Sequence, residues 1–205
     1  FIYDMTTAPW WNNGEKIEYT NLADMAVEGM NAGSPQVYAP AFTNYVEGIY
    51  VGYKYYETAA QEGFIDYDKT VQYPFGYGLS YTEFEQKMGE LEEKDGQISV
   101  DVEVTNTGDV AGKDVVEVYY NPPYTNGGIE KASANLIEFA KTDLLQPGDS
   151  QTVTVTFDVE DMASYDENDA EAYVLEKGDY VISINRDSYT VLDQKTYPVY
   201  DTVVY

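Results

Sequence analysis

Short runs of alternating apolar and polar residues fill the sequence from about residue 97 onward, and they constrain the fold more than any other feature. In "QISVDVEVTN", residues 97–106, every second side chain from Ile98 to Val104 is apolar, and the side chains between them are serine, aspartate and glutamate. A period of two is the repeat of a β-strand, whose successive side chains point to opposite faces. The run therefore predicts a strand with one face in a hydrophobic core.

The same pattern recurs in further runs that are separated by turn residues. These runs are "VVEVYYN", "NLIEFAKTDLL", "QTVTVTFDV", "AYVLE", "GDYVISIN" and "YTVLDQKTYPVY". Pro122 and Pro123 end the first of them because proline cannot donate to a strand ladder, and Pro147 with Gly148 forms a turn. About seven short strands with regular turns predict an antiparallel β-sandwich of the fibronectin type III or immunoglobulin shape.

The core of this sandwich is predicted from the inward-facing positions of successive strands. We expect the following residues inside it: Ile98, Val100, Val102, Val116, Val118, Val153, Val155, Phe157, Val181 and Ile184. The sequence has no cysteine, so no disulfide supports a true antibody-type domain.

Residues 1–85 differ in character, and we predict that they form an irregular, aromatic-rich segment that precedes a sandwich over residues 86–205. Only "TNLADMAVEGMNAG" indicates a short helix there, with Thr20 or Asn21 as its N-terminal cap. "VEGIYVGYKYYET" would be apolar on both faces if extended, and a helix is an open alternative. The chain as a whole is therefore expected to be mainly β.

The aromatic content of this first segment is highest in "VQYPFGYGLSYTEFE", residues 71–85. The segment has too many aromatic residues for a disordered linker and too few regular elements for a core of its own. Glycines among the aromatics allow close backbone approach. We therefore expect the segment to lie against a larger body.

Composition excludes several classes of function. The formal net charge is −26, which repels phosphate backbones and anionic lipid, so nucleic acid is not expected as a partner. Without cysteine or histidine the chain cannot supply a thiolate metal site, a cysteine nucleophile or a Ser-His-Asp triad. No apolar run is long enough to predict a membrane segment. The chain begins at Phe1 without a signal sequence, so we expect a piece of a longer protein and leave its compartment, cytoplasmic or secreted, open.

Two adjacent motifs point to a known family. "YVEGIYVGYKYYET" followed by "VQYPFGYGLSYTEFE" resembles the junction of glycoside hydrolase family 3 enzymes, the β-glucosidases and β-xylosidases. In that family the junction leaves an α/β sandwich domain and enters a C-terminal fibronectin type III-like domain. The downstream runs "VEVTNTGDVAGKDVVEVYY" and "YVLEKGDYVISI" resemble that second domain in the same order.

The resemblance implies an enzyme whose catalytic groups lie elsewhere. Family 3 enzymes are retaining glycosidases that use an Asp nucleophile, in a motif resembling Ser-Asp-Trp, and a Glu acid/base upstream of the junction. No such Asp motif occurs in this sequence, and residues 1–43 do not match the surroundings of that Glu. We therefore assign no catalytic residue, no metal ligand and no cofactor to this chain, and expect it to be inactive alone.

The candidate site residues are of two kinds. The junction aromatics and their neighbours are expected to dock against the missing domains, and Glu47 is assigned to this group rather than to catalysis. The docking set is Glu47, Tyr53, Lys54, Tyr73, Phe75, Tyr77 and Tyr81. Trp10 and Trp11, beside two asparagines and a glycine, are candidates for stacking on a sugar.

The sequence thus predicts the noncatalytic part of a family 3 hydrolase acting on β-linked glucosides or xylosides. Its expected partners are the α/β sandwich and barrel domains of the same enzyme and the carbohydrate substrate of the whole. The alternative is a stand-alone carbohydrate-binding or adhesive β-sandwich module.

Overall fold

The chain forms two compact units. The computed structural model describes residues 1–11 and 45–205, and between them only the backbone of four short strands. One unit comprises Phe1–Tyr3 and Ile49–Tyr205, and the other comprises Asp4–Gly48. The predicted boundary at residue 85 is separate from this division and stays a prediction.

The smaller unit, in its described part, is a set of short strand pairs. β1 (Ile17–Glu18) pairs antiparallel with β4 (Ala41–Phe42), and β2 (Val27–Asn31) pairs antiparallel with β3 (Ser34–Tyr38). The predicted short helix is wrong over β2, where strand pairing overrides a weak helical pattern and Gly29 disfavours a helix. Its proposed caps, Thr20 and Asn21, lie outside the described residues.

Two helices precede the sandwich in the larger unit. α1 spans Tyr53–Gln61 and α2 spans Tyr67–Thr70. The helical alternative for "VEGIYVGYKYYET" is therefore the one realised from Tyr53 onward. Gly52, with φ of 63°, takes a conformation that favours glycine and ends the preceding turn, so the helix begins immediately after it.

Antiparallel sheets form the sandwich, as the alternation predicts. The three-stranded sheet has the order β5 (Phe84–Lys94), β6 (Gln97–Asn106) and β9 (Ser150–Asp158). The four-stranded sheet has the order β13 (Val191–Val199), β12 (Gly178–Asn185), β7 (Val115–Asn121) and β8 (Asn135–Lys141). A small sheet of β10 (Ser164–Asp166), β11 (Ala172–Leu175) and β14 (Val203–Val204) completes the described strands of this unit.

β5 is a strand that the sequence pattern did not predict. It pairs with β6 across an Asp95–Gly96 turn in which both residues have positive φ, as a tight hairpin requires. The register shifts between Met88 and Leu91, so a bulge interrupts the alternation. The sequence of β5 is highly charged and its period of two is broken by the bulge, so the alternation of residues did not indicate this strand.

The hydrophobic core lies between the two larger sheets. Its buried members include nine of the ten predicted residues: Ile98, Val100, Val102, Val116, Val118, Val153, Val155, Phe157 and Ile184. Val181 was wrongly predicted as the tenth and is only partly buried, because Tyr180, Ile182 and Ile184 occupy the inner face of β12. Residues three apart on a regular strand point to opposite faces, so Val181 and Ile184 cannot share one.

Candidate functional site

Helix α1 covers the outer face of the four-stranded sheet, opposite the core. The backbone N–H of Leu136 on β8 donates to the Tyr53 hydroxyl at 2.9 Å, and the N–H of Ser133 donates to Thr58 Oγ1 at 3.0 Å. The Tyr53 ring also meets Tyr119 of β7 edge to face, with centroids 6.2 Å apart. Tyr119 is 1% exposed, and this burial raises its pKa. The central strand β7 is therefore buried on both faces.

The segment of residues 71–81, which we call the aromatic strip, is fixed to this outer face at its centre. The N–H of Ser188 donates to the Phe75 carbonyl at 2.8 Å, and the Phe75 ring stacks on Tyr53 with centroids 4.8 Å apart. Gly76 has a φ of 85°, and a Cβ there would lie 2.7 Å from Glu117 Oε2. Only glycine allows the strip to approach the sheet so closely.

The C-terminal end of the aromatic strip points to solvent, whereas Val71 at its N-terminal end is 9% exposed and pairs with Ile2. Tyr73 and Tyr77 form a pair with centroids 4.9 Å apart, and each is close to half exposed. Leu79 is 90% exposed and Tyr81 is 101% exposed. Within the described residues, the strip is therefore anchored from Val71 to Gly76 and is almost fully exposed at Leu79 and Tyr81.

The predicted docking residues therefore separate into groups. Tyr53 and Phe75 are in contact with each other, Tyr73 pairs with Tyr77, and Tyr81 projects alone. Lys54 lies on α1, where partial burial lowers its pKa. Whether these side chains dock against another domain stays a prediction.

Three other predicted residues belong to the smaller unit. Glu47 is partly buried beside the turn at Gly48. Trp10 and Trp11 are consecutive, and they are 42% and 47% exposed. Their exposure is compatible with stacking on a ring, and their role as sugar-binding residues stays a prediction.

A buried carboxylate, Glu57 on α1, was not anticipated from the sequence. Its Oε1 accepts from the Tyr67 hydroxyl at 2.7 Å and from the Ser188 hydroxyl at 2.5 Å. Burial raises the pKa of Glu57, the negative charge of Asp187 adds to the rise, and the two hydroxyl donors oppose it. Glu57 thereby joins α1, α2 and the β12–β13 loop, a role that no local sequence pattern signals.

A second carboxylate on this face is Glu117 of β7. Burial raises its pKa, while the Tyr119 hydroxyl donates to Oε2 at 2.9 Å. Asp187 accepts from the N–H groups of Tyr189 and Thr190 at 3.1 and 2.7 Å. Within the described ranges no group of three or more acidic residues has the arrangement of a metal site.

The sandwich that carries this face is a fibronectin type III-like domain. Residues 114–188 match the family model of the "Fibronectin type III-like domain". This stretch runs from β7 to the β12–β13 loop and therefore includes the strands beneath α1.

Relatives of known structure and sequence extend the likeness beyond that domain. β-Glucosidase A of Butyrivibrio fibrisolvens is 42% identical over 159 residues, covering 68% of this chain and 18% of that protein. β-Glucosidase 3B from Thermotoga neapolitana, solved with α-D-glucose, matches with a TM-score of 0.68 at 34% identity, over 80% of this chain and 21% of that chain. The GH3 β-glucosidase of Bifidobacterium adolescentis matches with a TM-score of 0.66 at 30% identity, over 78% and 22%.

This chain is thus homologous to the region of the glycoside hydrolase family 3 β-glucosidases that carries their fibronectin type III-like domain, which confirms the resemblance of the junction motifs. It spans about a fifth of the length of these relatives, so in them the matched segment is part of a longer chain. In the part of the chain that is described, no helix is long and apolar enough to cross a membrane.

Proposed function

We propose that this chain is a noncatalytic part of a longer family 3 hydrolase of β-linked glucosides or xylosides, in which it stabilises and positions the catalytic domains. The observation that carries the proposal is the exposure of the C-terminal end of the aromatic strip, residues 77–81. Leu79 and Tyr81 are almost fully exposed, although the strip is anchored at Phe75 only a few residues away. An ordered apolar surface of this kind is typical of a site that another domain covers.

The energetic weight of that surface is large enough for docking. Burying an aromatic side chain removes about 150–250 Å² from water, or roughly 4–6 kcal/mol at about 25 cal/mol per Å² before entropy is subtracted. The catalytic pair of the family would then come from the domains that the strip contacts.

The test uses the whole enzyme with Leu79→Ser and Tyr81→Ser introduced together. These residues contribute little to packing within this chain, whereas Phe75 also stacks on Tyr53, so they isolate docking. The melting temperature of the enzyme should fall by several degrees, with about ±2 °C as the scatter of neutral surface changes. Tyr200→Ser, at a tyrosine that is 74% exposed, is the control and should leave melting unchanged.

Two results would contradict this proposal. A strong rise in KM for p-nitrophenyl β-glucoside with unchanged melting would make the strip part of the substrate site. Turnover of that substrate by the 205-residue chain alone would show that the chain carries its own catalytic carboxylates.

A further inference from the structure

A groove runs along α1, and it consists of two adjoining lobes. The first lobe has a volume of about 510 Å³ and the second of about 260 Å³. Gln61, Asn121 and Ser133 line both lobes. Between them Asn121 Nδ2 donates to Gln61 Oε1 at 3.3 Å, so this amide pair marks the junction of the lobes.

The second lobe is lined by polar side chains, several of which are buried. Glu57 and Asn185 are 6% and 3% exposed and both line this lobe. Among the described residues, neither Glu57 Oε2 nor Asn185 Oδ1 has a hydrogen-bond partner. Both oxygens are themselves shielded from solvent, so the polar groups that a ligand can reach in this lobe include the side-chain amides of Gln61, Asn121 and Gln194. Amides both donate and accept hydrogen bonds, so the lobe favours a neutral ligand with hydroxyl groups.

The first lobe has aromatic walls. Tyr50, Tyr55 and Tyr124 line it together with Phe64, which is 81% exposed at its edge. The Tyr50 hydroxyl donates to Glu130 Oε2 at 2.5 Å, which fixes one ring in place. Aromatic faces bind the apolar C–H faces of a ring, a contact that neither a metal ion nor water makes.

We infer that this groove binds a neutral oligosaccharide, with hydroxyl groups of one pyranose hydrogen-bonded to the side-chain amides of Gln61, Asn121 and Gln194 in the second lobe. The next sugar then lies against the tyrosines of the first lobe. A sugar chain is the ligand class that supplies both hydroxyl donors and apolar ring faces in one molecule. The groove residues are distinct from Leu79 and Tyr81, so this binding goes beyond the proposed docking function and does not depend on it.

The test is a titration of the isotope-labelled 205-residue chain with cellotriose, followed by amide NMR spectra. We expect millimolar affinity, which is about −4 kcal/mol. Shifts should concentrate on amides of α1, of residues 121–133 and of residues 183–194. Tyr124→Ala in the first lobe and Gln61→Ala at the junction should each weaken binding at least fivefold.

Matched variants and a second sugar show whether the binding is specific to the groove. Tyr165→Ala removes an exposed tyrosine outside the groove and should leave the affinity within twofold of the original. Trigalacturonate, an anionic trisaccharide, should not bind.

Each of the following results would overturn the inference. An absence of shifts at about 20 mM cellotriose would mean that the groove does not bind a neutral oligosaccharide. Binding that survives Tyr124→Ala and Gln61→Ala but is lost in Trp10→Ala would place the sugar on the tryptophan pair. Saturable shifts of the groove amides with CaCl₂ but not with cellotriose would make the second lobe a cation site.

Discussion

Glu57 makes the stability of the larger unit depend on pH in a direction opposite to that of most carboxylates. Its pKa is raised in the folded chain, chiefly by burial, from an ordinary value of 4.5. Between these two pKa values the folded chain holds a proton that the unfolded chain has released. The free energy of unfolding therefore falls as pH rises through this window, and the loss is absent below the unfolded pKa.

Replacing Glu57 by Gln should remove that pH dependence. The amide can still accept from Tyr67 and Ser188, and it carries no charge to bury. In urea titrations from pH 4 to pH 8, we expect the variant to gain stability relative to the original chain as pH increases. Glu62→Gln, at the exposed end of α1, is the matched control and should show no such trend. A difference between Glu57→Gln and the original chain that stays constant with pH would refute this account.

At the scale of elements, the alternation of residues predicted the long strands that keep it over several positions, and it missed the long strand β5. β6 and β9 keep a period of two along their whole length, and β7 and β12 keep it up to register shifts after Val118 and Ile184. Their core positions could therefore be read directly, apart from Val181. β5 carries a bulge and many charges, yet its Asp95–Gly96 turn was a usable hairpin signal. A local turn motif can thus reveal a strand whose own pattern is broken.

The outer face could be predicted much less well, since its layers come from distant parts of the sequence. Asn185 and Ser183 occupy positions on β12 that alternation assigns to solvent, and they are buried because other elements cover them. Glu57 lies in a short helix whose polar residues give no sign of which one faces the sheet. The aromatic strip was predicted from its composition to be a contact surface, whereas its anchoring through Ser188 required the tertiary structure.

The anchor of the aromatic strip gives a prediction at this scale. Gly76→Ala should destabilise the strip by about 1–3 kcal/mol, because the residue has positive φ and its Cβ would press on Glu117. Gly78→Ala is the matched control, since a Cβ at Gly78 meets nothing within 4 Å. Limited proteolysis at the strip and urea unfolding measure the effect. Equal cleavage rates and stabilities for the two variants would show that the close approach at Gly76 is unimportant.

At the scale of the whole molecule, self-repulsion is the dominant electrostatic feature. The chain has 37 acidic residues against 11 basic ones. Ion pairs in the described residues are few and include Lys195–Glu90 and Lys131–Glu176. A compact chain with this imbalance is destabilised by its own charge.

Salt should therefore stabilise the chain without binding to a site. Raising NaCl from about 10 mM to about 150 mM shortens the Debye length from about 30 Å to about 8 Å, and the melting temperature should rise. Choline chloride at equal ionic strength should act alike, because screening does not depend on the identity of the cation. A melting temperature that is insensitive to both salts would contradict the self-repulsion argument.

The double burial of β7 has a consequence for how such a domain can be inherited. The recognisable domain sequence starts at residue 114, whereas the layer that covers Tyr119 is supplied by α1, some sixty residues earlier. A gene rearrangement that moved residues 114–188 alone would leave α1 behind. The outer face of β7, which includes Tyr119, would then be exposed to water. The smallest piece that can be moved intact is therefore longer than the stretch that matches the fibronectin type III-like family model, and it includes the helix α1.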